Sequence, residues 1–265
     1  MSNSIPAFVS SGAGGDTVIC LHGIGGRNDV WQPQMQTIVR CGFRAVAWDA
    51  PGYGDTPQAG APSWDGFSAA LLRLIDGLEL EHCVLLGHSL GGMIAQHFVS
   101  KHAPRVKALI LSATSPAFGK SDGDWQREFI AQRVGPLDEG RTMEELSEAI
   151  VAGLVGRNPD PAGVTRAKDA MAACPDATYR RSIEVLVTFD MRDHLSRINV
   201  PTLVVAGEHD ANAPSPMMER MAARIPGARF VLVPGAGHLA NLEQPAAFNA
   251  ALSEFLQSIR VRGRE

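Results

Sequence analysis

Gly87-His88-Ser89-Leu90-Gly91 is the run of this sequence with the clearest chemical meaning. It joins an apolar stretch, His82 to Leu86, to a helical pattern that begins at Leu90. A serine on a sharp strand-to-helix turn stands clear of the sheet at a helix N-terminus, where the macrodipole favours developing negative charge. The turn leaves almost no room for a Cβ on either side, which glycine satisfies. The same glycines would suit a phosphate-binding turn, but the lysine of a Walker loop and the full G-x-G-x-x-G of a dinucleotide turn are missing. Ser89 therefore reads as a nucleophile. A serine hydroxyl needs a base, and the base needs an orienting acid. In a parallel sheet both are sought beyond the carboxyl ends of later strands. Two segments offer them: Gly207-Glu208-His209-Asp210 after Val205, and Pro234-Gly235-Ala236-Gly237-His238 after Val233.

The elements that must position these residues follow from the apolar rhythm. Thr17–Leu21, Phe43–Trp48, His82–Leu86 and Val106–Leu111 read as buried strands. Between them lie a helix over Val30–Cys41, capped by Asp29 and stopped by Gly42, a helix opened by Ser63, and a helix over Leu90–His102. Near-continuous apolar strands separated by helices mean a parallel sheet covered on both faces. The rhythm breaks at Ala113-Thr114-Ser115-Pro116. Polar helices and loops follow to about Ser196, with helices expected at Met143–Leu154 and Ala167–Ala173. Strands return at Pro201–Ala206 and Phe230–Val233. Ser215-Pro216 is expected to supply the N-cap and first position of a helix reaching Arg224, and Ala246–Ile259 forms the last helix. The expected organisation is one core domain built from 1–115 and 197–265, with 116–196 inserted as a helical cap.

The Gly-x-Ser-x-Gly turn, followed along the chain by Asp210 and then His238, resembles the α/β-hydrolase fold superfamily over essentially the whole chain. The resemblance implies an α/β fold: a mostly parallel, doubly wound sheet with a helical cap inserted after the sixth strand. It assigns Ser89 as nucleophile, His238 as base and Asp210 as acid, since the family places its acid after the strand that follows the cap and its histidine after the last strand. Glu208 competes with Asp210, two residues away. In such proteins the turn His22-Gly23-Ile24-Gly25-Gly26 supplies one oxyanion-hole donor and the residue after the nucleophile the other, here the backbone N–H groups of Ile24 and Leu90. His22 and His88 are read as supports of their turns. Gly52-Tyr53-Gly54-Asp55 resembles a structural loop of the family without chemistry. His82, His97 and His102 are read as structural or solvated and His209 as a loop residue, while His194 sits in the cap within possible reach of substrate.

Several reactions of this fold are excluded or weakened. Haloalkane dehalogenases and epoxide hydrolases use an aspartate nucleophile where this chain has Ser89. Hydrolases of C–C bonds in meta-cleavage-type diketones typically carry asparagine before the nucleophile and tryptophan after the histidine; here His88 and Leu239 stand there, and the reading stays as an alternative. Haloperoxidase-type esterases often have an aromatic residue and proline after His-Gly, against Ile24-Gly25 here. The run from Gly87 to Gln96 most resembles 3-oxoadipate enol-lactonases and small bacterial carboxylesterases. The implied activity is hydrolysis of a small carboxylic ester or lactone through an acyl-enzyme, needing no metal or organic cofactor. An enol-lactonase would need a cationic clamp, for which Arg127, Arg133, Arg180 and Arg181 are available. The expected pocket residues are Trp31, Trp125, Phe129 and Phe189, with Phe118 and Leu186 as further apolar cap residues. A slow-turnover or non-catalytic small-ligand receptor is the alternative of another class.

Composition agrees with this reading. The 265 residues carry a formal charge of −4, with 45% hydrophobic and 20% charged residues. That is ordinary globular usage, long enough to bury a large core and unlike a disordered chain. The mild acidity argues against nucleic-acid or anionic-membrane partners, leaving a small-molecule substrate as the expected partner. Cys20, Cys41, Cys83 and Cys174 are far apart, with no CxxC or His/Cys cluster for zinc. Met1–Pro6 lacks a basic start and apolar region, so no signal peptide is read there, and a reducing, cytoplasmic location is the expectation.

Overall fold

The computed structural model describes residues 4–58, 60–119 and 123–262, so Met1 to Asn3 of the N-terminal reading lie outside the described residues. In chain order the elements are β1 (Phe8–Ser11), β2 (Thr17–Leu21), α1 (Gln32–Arg40), β3 (Arg44–Trp48), α2 (Trp64–Gly77), β4 (Cys83–His88), α3 (Leu90–His102) and β5 (Val106–Ser112). Four helices follow: α4 (Asp124–Asp138), α5 (Met143–Ala152), α6 (Pro161–Ala172) and α7 (Asp176–Leu186). The chain then completes β6 (Thr202–Gly207), α8 (Ser215–Arg224), β7 (Arg229–Val233), α9 (Ala240–Glu243) and α10 (Pro245–Arg262).

The strands form one seven-stranded sheet in the order β1-β3-β2-β4-β5-β6-β7, parallel except for β1 against β3. β2, β4 and β6 are buried along their whole length, which is why they read as unbroken apolar runs. The connection from β2 through α1 to β3 travels one way across the sheet, and that from β4 through α3 to β5 travels the other. Right-handed crossovers then put α1 and α3 on opposite faces. The packing agrees, with α1 against α10 and α2 against α3. The order reverses between β2 and β4, so the loops leaving their carboxyl ends diverge and open a crevice there.

Local details depart from the sequence reading. Asp29 caps nothing: it binds the Arg27 guanidinium, and a 3₁₀ turn over Asn28–Trp31 leads into α1, which starts at Gln32 with Pro33 in its first turn. Ser215 is the first residue of α8 rather than its cap, and Pro214 precedes it in extended conformation. Ser63 does cap α2, accepting from the Gly66 N–H. The insertion between parallel strands follows β5, the fifth strand rather than the sixth, because only β1 precedes β2 among the described residues. None of the described helices is long and apolar enough to cross a membrane.

Candidate active site

The register of the sheet brings the first two motifs together. Leu21 of β2 pairs with Gly87 of β4, so the residues just beyond, His22-Gly23 and His88-Ser89, leave the sheet side by side. A methyl placed on Gly23 would sit 3.0 Å from the Ser89 Cβ. Ser89 has φ +51° and ψ −117°, a left-handed conformation that costs a non-glycine residue about 1–3 kcal/mol. Its neighbours hold it there: the Ser89 N–H donates to the Ser112 carbonyl at 2.9 Å, and the Thr114 hydroxyl donates to the Ser89 carbonyl at 2.8 Å. A Cβ on Gly87 would collide with the Gly91 carbonyl, and one on Gly91 with the Leu21 carbonyl. Ser89 sits at the N-cap of α3, yet its hydroxyl caps no backbone N–H and is free for another partner.

That partner is His238. Its Nε2 lies 3.0 Å from Ser89 Oγ, and its Nδ1 lies 2.8 Å from Asp210 Oδ2. The other Asp210 oxygen accepts from the N–H groups of Asn212 at 2.8 Å and Ala213 at 2.9 Å. Burial pushes the Asp210 carboxyl up, but the His238 charge and hydrogen bond and the two amide donors outweigh it, so its pKa lies below the usual aspartate value. An ionised carboxylate only accepts, so Nδ1 carries the proton and Nε2 offers its lone pair to the serine hydroxyl. The arrangement can deprotonate a serine as it attacks and stabilise the imidazolium that results. Glu208 is engaged elsewhere, accepting from the Gly235 N–H at 2.8 Å.

Ile24 and Leu90 carry backbone N–H groups with no acceptor among the described residues; Ile24 lines the cavity above Ser89, and Leu90, fully buried, follows Ser89 as the first residue of α3. His22 orders the Ile24 turn from below. Its Nδ1 contacts the Gly23 carbonyl at 2.8 Å and its Nε2 accepts from the Ala50 N–H at 3.0 Å, which requires the neutral ring. Burial holds the His22 pKa below the usual imidazole range, against the Gly23 carbonyl bond and the Asp49 and Asp29 charges. Burial likewise takes His88 down to about 3, helped by the neighbouring His238, so it too is neutral.

Above these residues lies a cavity of about 340 Å³, walled by the strand-end loops and by α4 to α7. Trp31, Trp125 and Phe129 line it, together with Phe118, Leu186 and Met171. Phe189 does not. It is buried against Trp64 of α2, with ring centres 4.6 Å apart, and its carbonyl accepts from the Phe118 N–H, so it fills the junction under α7 rather than the cavity wall. His194 also lies away from the cavity. Of the four arginines, Arg133 alone lines it; Arg127 pairs with Asp124 and Arg180 with Asp138. Among the described residues no group of three or more His, Cys, Asp or Glu side chains is arranged to hold a metal ion.

The sequence reading passed over Glu243, a fully buried carboxylate in α9. It accepts from the N–H groups of Gly237 at 2.9 Å, Leu239 at 2.8 Å and Gly156 at 2.5 Å. Its partners are backbone amides on both sides of His238 and in the inserted segment, so no side-chain pattern in the sequence marks it out.

Residues 16–245 match the family described as the alpha/beta hydrolase fold, and the chain belongs to that family. It is 29% identical over 262 residues to a candidate carbamate hydrolase of Variovorax paradoxus, covering 95% of each chain. It is 30% identical over 274 residues to a non-heme chloroperoxidase of Kitasatospora aureofaciens, covering 96% of this chain and 97% of that protein. Among solved structures, a thermophilic esterase from Thermogutta terrifontis superposes with a TM-score of 0.86 at 27% identity, covering 96% of this chain and 93% of the other. Members of this kind are hydrolases, and ester hydrolysis is compatible with the fold and its neighbours.

Proposed function

We propose that the protein hydrolyses a small carboxylic ester or lactone through an acyl-enzyme on Ser89. The observation that carries this reading is the Ser89 Oγ–His238 Nε2 contact of 3.0 Å at the base of a cavity. His238 takes the serine proton during attack on the carbonyl carbon, and Asp210 keeps the imidazole in the tautomer that can do so. The N–H groups of Ile24 and Leu90 receive the oxyanion; loss of one such donor costs about 10²–10³ in rate. His238 then returns the proton to the leaving alkoxide, and in the second half activates water against the acyl-enzyme. The N-terminus of α3 adds a favourable field at the nucleophile. A cavity of about 340 Å³ is at the small end of ligand sites, which favours a small substrate.

We read 1–115 with 197–265 as the catalytic core and 116–196 as a cap that shapes the substrate pocket. The four buried free thiols suit a reducing cytoplasmic setting. The decisive experiment is a panel of short and long p-nitrophenyl esters, an enol-lactone and a vinylogous diketone, offered to the native protein and to Ser89→Ala. The expected result is turnover of short esters or the lactone that disappears in S89A while the fold is retained. Full activity in S89A would remove the mechanism, turnover of the diketone alone would replace the ester reading with C–C cleavage, and binding without turnover would favour a receptor.

A further inference from the structure

Among the described residues the cavity wall contains no aspartate, glutamate or lysine, and Arg133 is its one permanently charged side chain. Arg133 projects from α4 with its guanidinium carbon 3.8 Å above the centre of the Phe129 ring, which also lines the cavity. Its one hydrogen bond among the described residues is a long one, from Nη2 to Asn212 Oδ1 at 3.3 Å. No carboxylate pairs with it, although its own helix α4 carries three acids: Asp138 is bound to Arg180, Asp124 to Arg127, and Glu128 to Gln132. Burial lowers the Arg133 pKa from the ordinary guanidinium value. Beside it in the same wall, the Tyr179 hydroxyl has no hydrogen-bond partner among the described residues.

A partly buried guanidinium with one long hydrogen bond and no carboxylate partner keeps N–H donors available for an anion. The Phe129 ring lies against the guanidinium on one side, and both residues line the same cavity. We propose that Arg133, with Tyr179 beside it, forms a carboxylate subsite, so that the preferred ester or lactone bears a single remote carboxylate group. One cation in a wall with no other permanent charge suits one negative charge, and the planar fork suits a carboxylate's two oxygens. Arg133 is then a specificity-determining residue, remote from the bond that breaks. The inference rests on the ester or lactone reading for its kinetic arm and is independent of it for its binding arm.

The kinetic arm uses matched pairs that place the charge on either side of the ester: mono-p-nitrophenyl adipate against p-nitrophenyl hexanoate, and 4-acetoxybutanoate against butyl acetate. The native protein is expected to favour the carboxylate member of at least one pair in kcat/KM. Arg133→Met should lower that preference by about 10–100-fold, the size of a lost charged hydrogen-bonding partner. Arg133→Lys, which keeps the charge and loses the fork, should fall between. A preference for the neutral ester in both pairs, or the same ratio in R133M, would overturn the proposal. The binding arm compares adipic monoamide with hexanamide by calorimetry, where R133M should cost about the same factor for the monoamide alone. If the native protein turns over no ester yet binds the monoamide through Arg133, the ester reading fails and the subsite stands. Equal affinity for monoamide and hexanamide sinks the subsite whatever the activity.

Discussion

Ser89 was legible because its turn needs glycines at fixed offsets and a strand and helix on either side, all of which the chain spells out. What the sequence leaves open is the choice between Glu208 and Asp210, two carboxylates in one loop. Geometry separates them: Asp210 reaches His238, while Glu208 faces the Gly235 amide. The strain at Ser89 has a measurable counterpart. Glycine occupies φ +51° freely, so Ser89→Gly should be more stable than Ser89→Ala by about 1 kcal/mol, the strain relief less the extra chain entropy of glycine. Both variants should lack the proposed ester hydrolysis. Urea unfolding of the pair tests this, and equal midpoints would mean the turn is unstrained.

At the scale of elements, strands buried on both faces announced themselves, whereas β1 did not. Its Phe8-Val9-Ser10-Ser11 run pairs only with β3 and is largely exposed, so it lacks an apolar signature. α4 and α7 were hidden for another reason. One side of each faces a cavity rather than a packed core, and α4 buries only Gln126 and Leu137 along its length. The loop carrying His238 shows what elements do for one another. The His238 N–H donates to the Leu154 carbonyl and the Arg157 N–H to the Gly235 carbonyl, both at 2.7 Å, and Glu243 gathers amides from both strands of this contact. Replacing Glu243 by glutamine turns one acceptor into a donor against buried N–H groups. Glu243→Gln should cost about 1–3 kcal/mol of stability and, on the proposed mechanism, reduce kcat more than it raises KM, because His238 loses its register with Ser89. A fall in stability with kcat intact would restrict Glu243 to a structural role.

The cavity belongs to the whole molecule, and no stretch of sequence displays it: Gly23, Ser115, Met171 and Asn212 meet there from four distant parts of the chain. The acid response is also a property of the whole. His88 takes a proton near pH 6.5 in the unfolded chain and only near 3 in the native one, so the unfolded state binds more protons between those values. Stability must therefore fall as the pH drops through that window, by at most about 1.4 kcal/mol per pH unit from this residue. His22, displaced in the same direction by burial, adds to the slope. In His88→Gln the dependence of unfolding free energy on pH between 6.5 and 5 should flatten by about that amount. An unchanged slope would mean that the His88 ring is protonated in the native protein.

The stitching of Leu154–Arg157 to Gly235–Glu243 bears on how such proteins can be recombined. The 116–196 segment has two ends on β5 and β6, which invites its exchange as a cassette between relatives with different pockets. A donor cassette would bring its own version of the strip that receives the His238 amide, and would meet a recipient loop shaped to another strip. Splice points that move Leu154–Arg157 and Gly235–Glu243 together should yield active chimeras more often than splice points at the cassette's two ends alone. The inserted segment and the His238 loop therefore travel as one unit of packing.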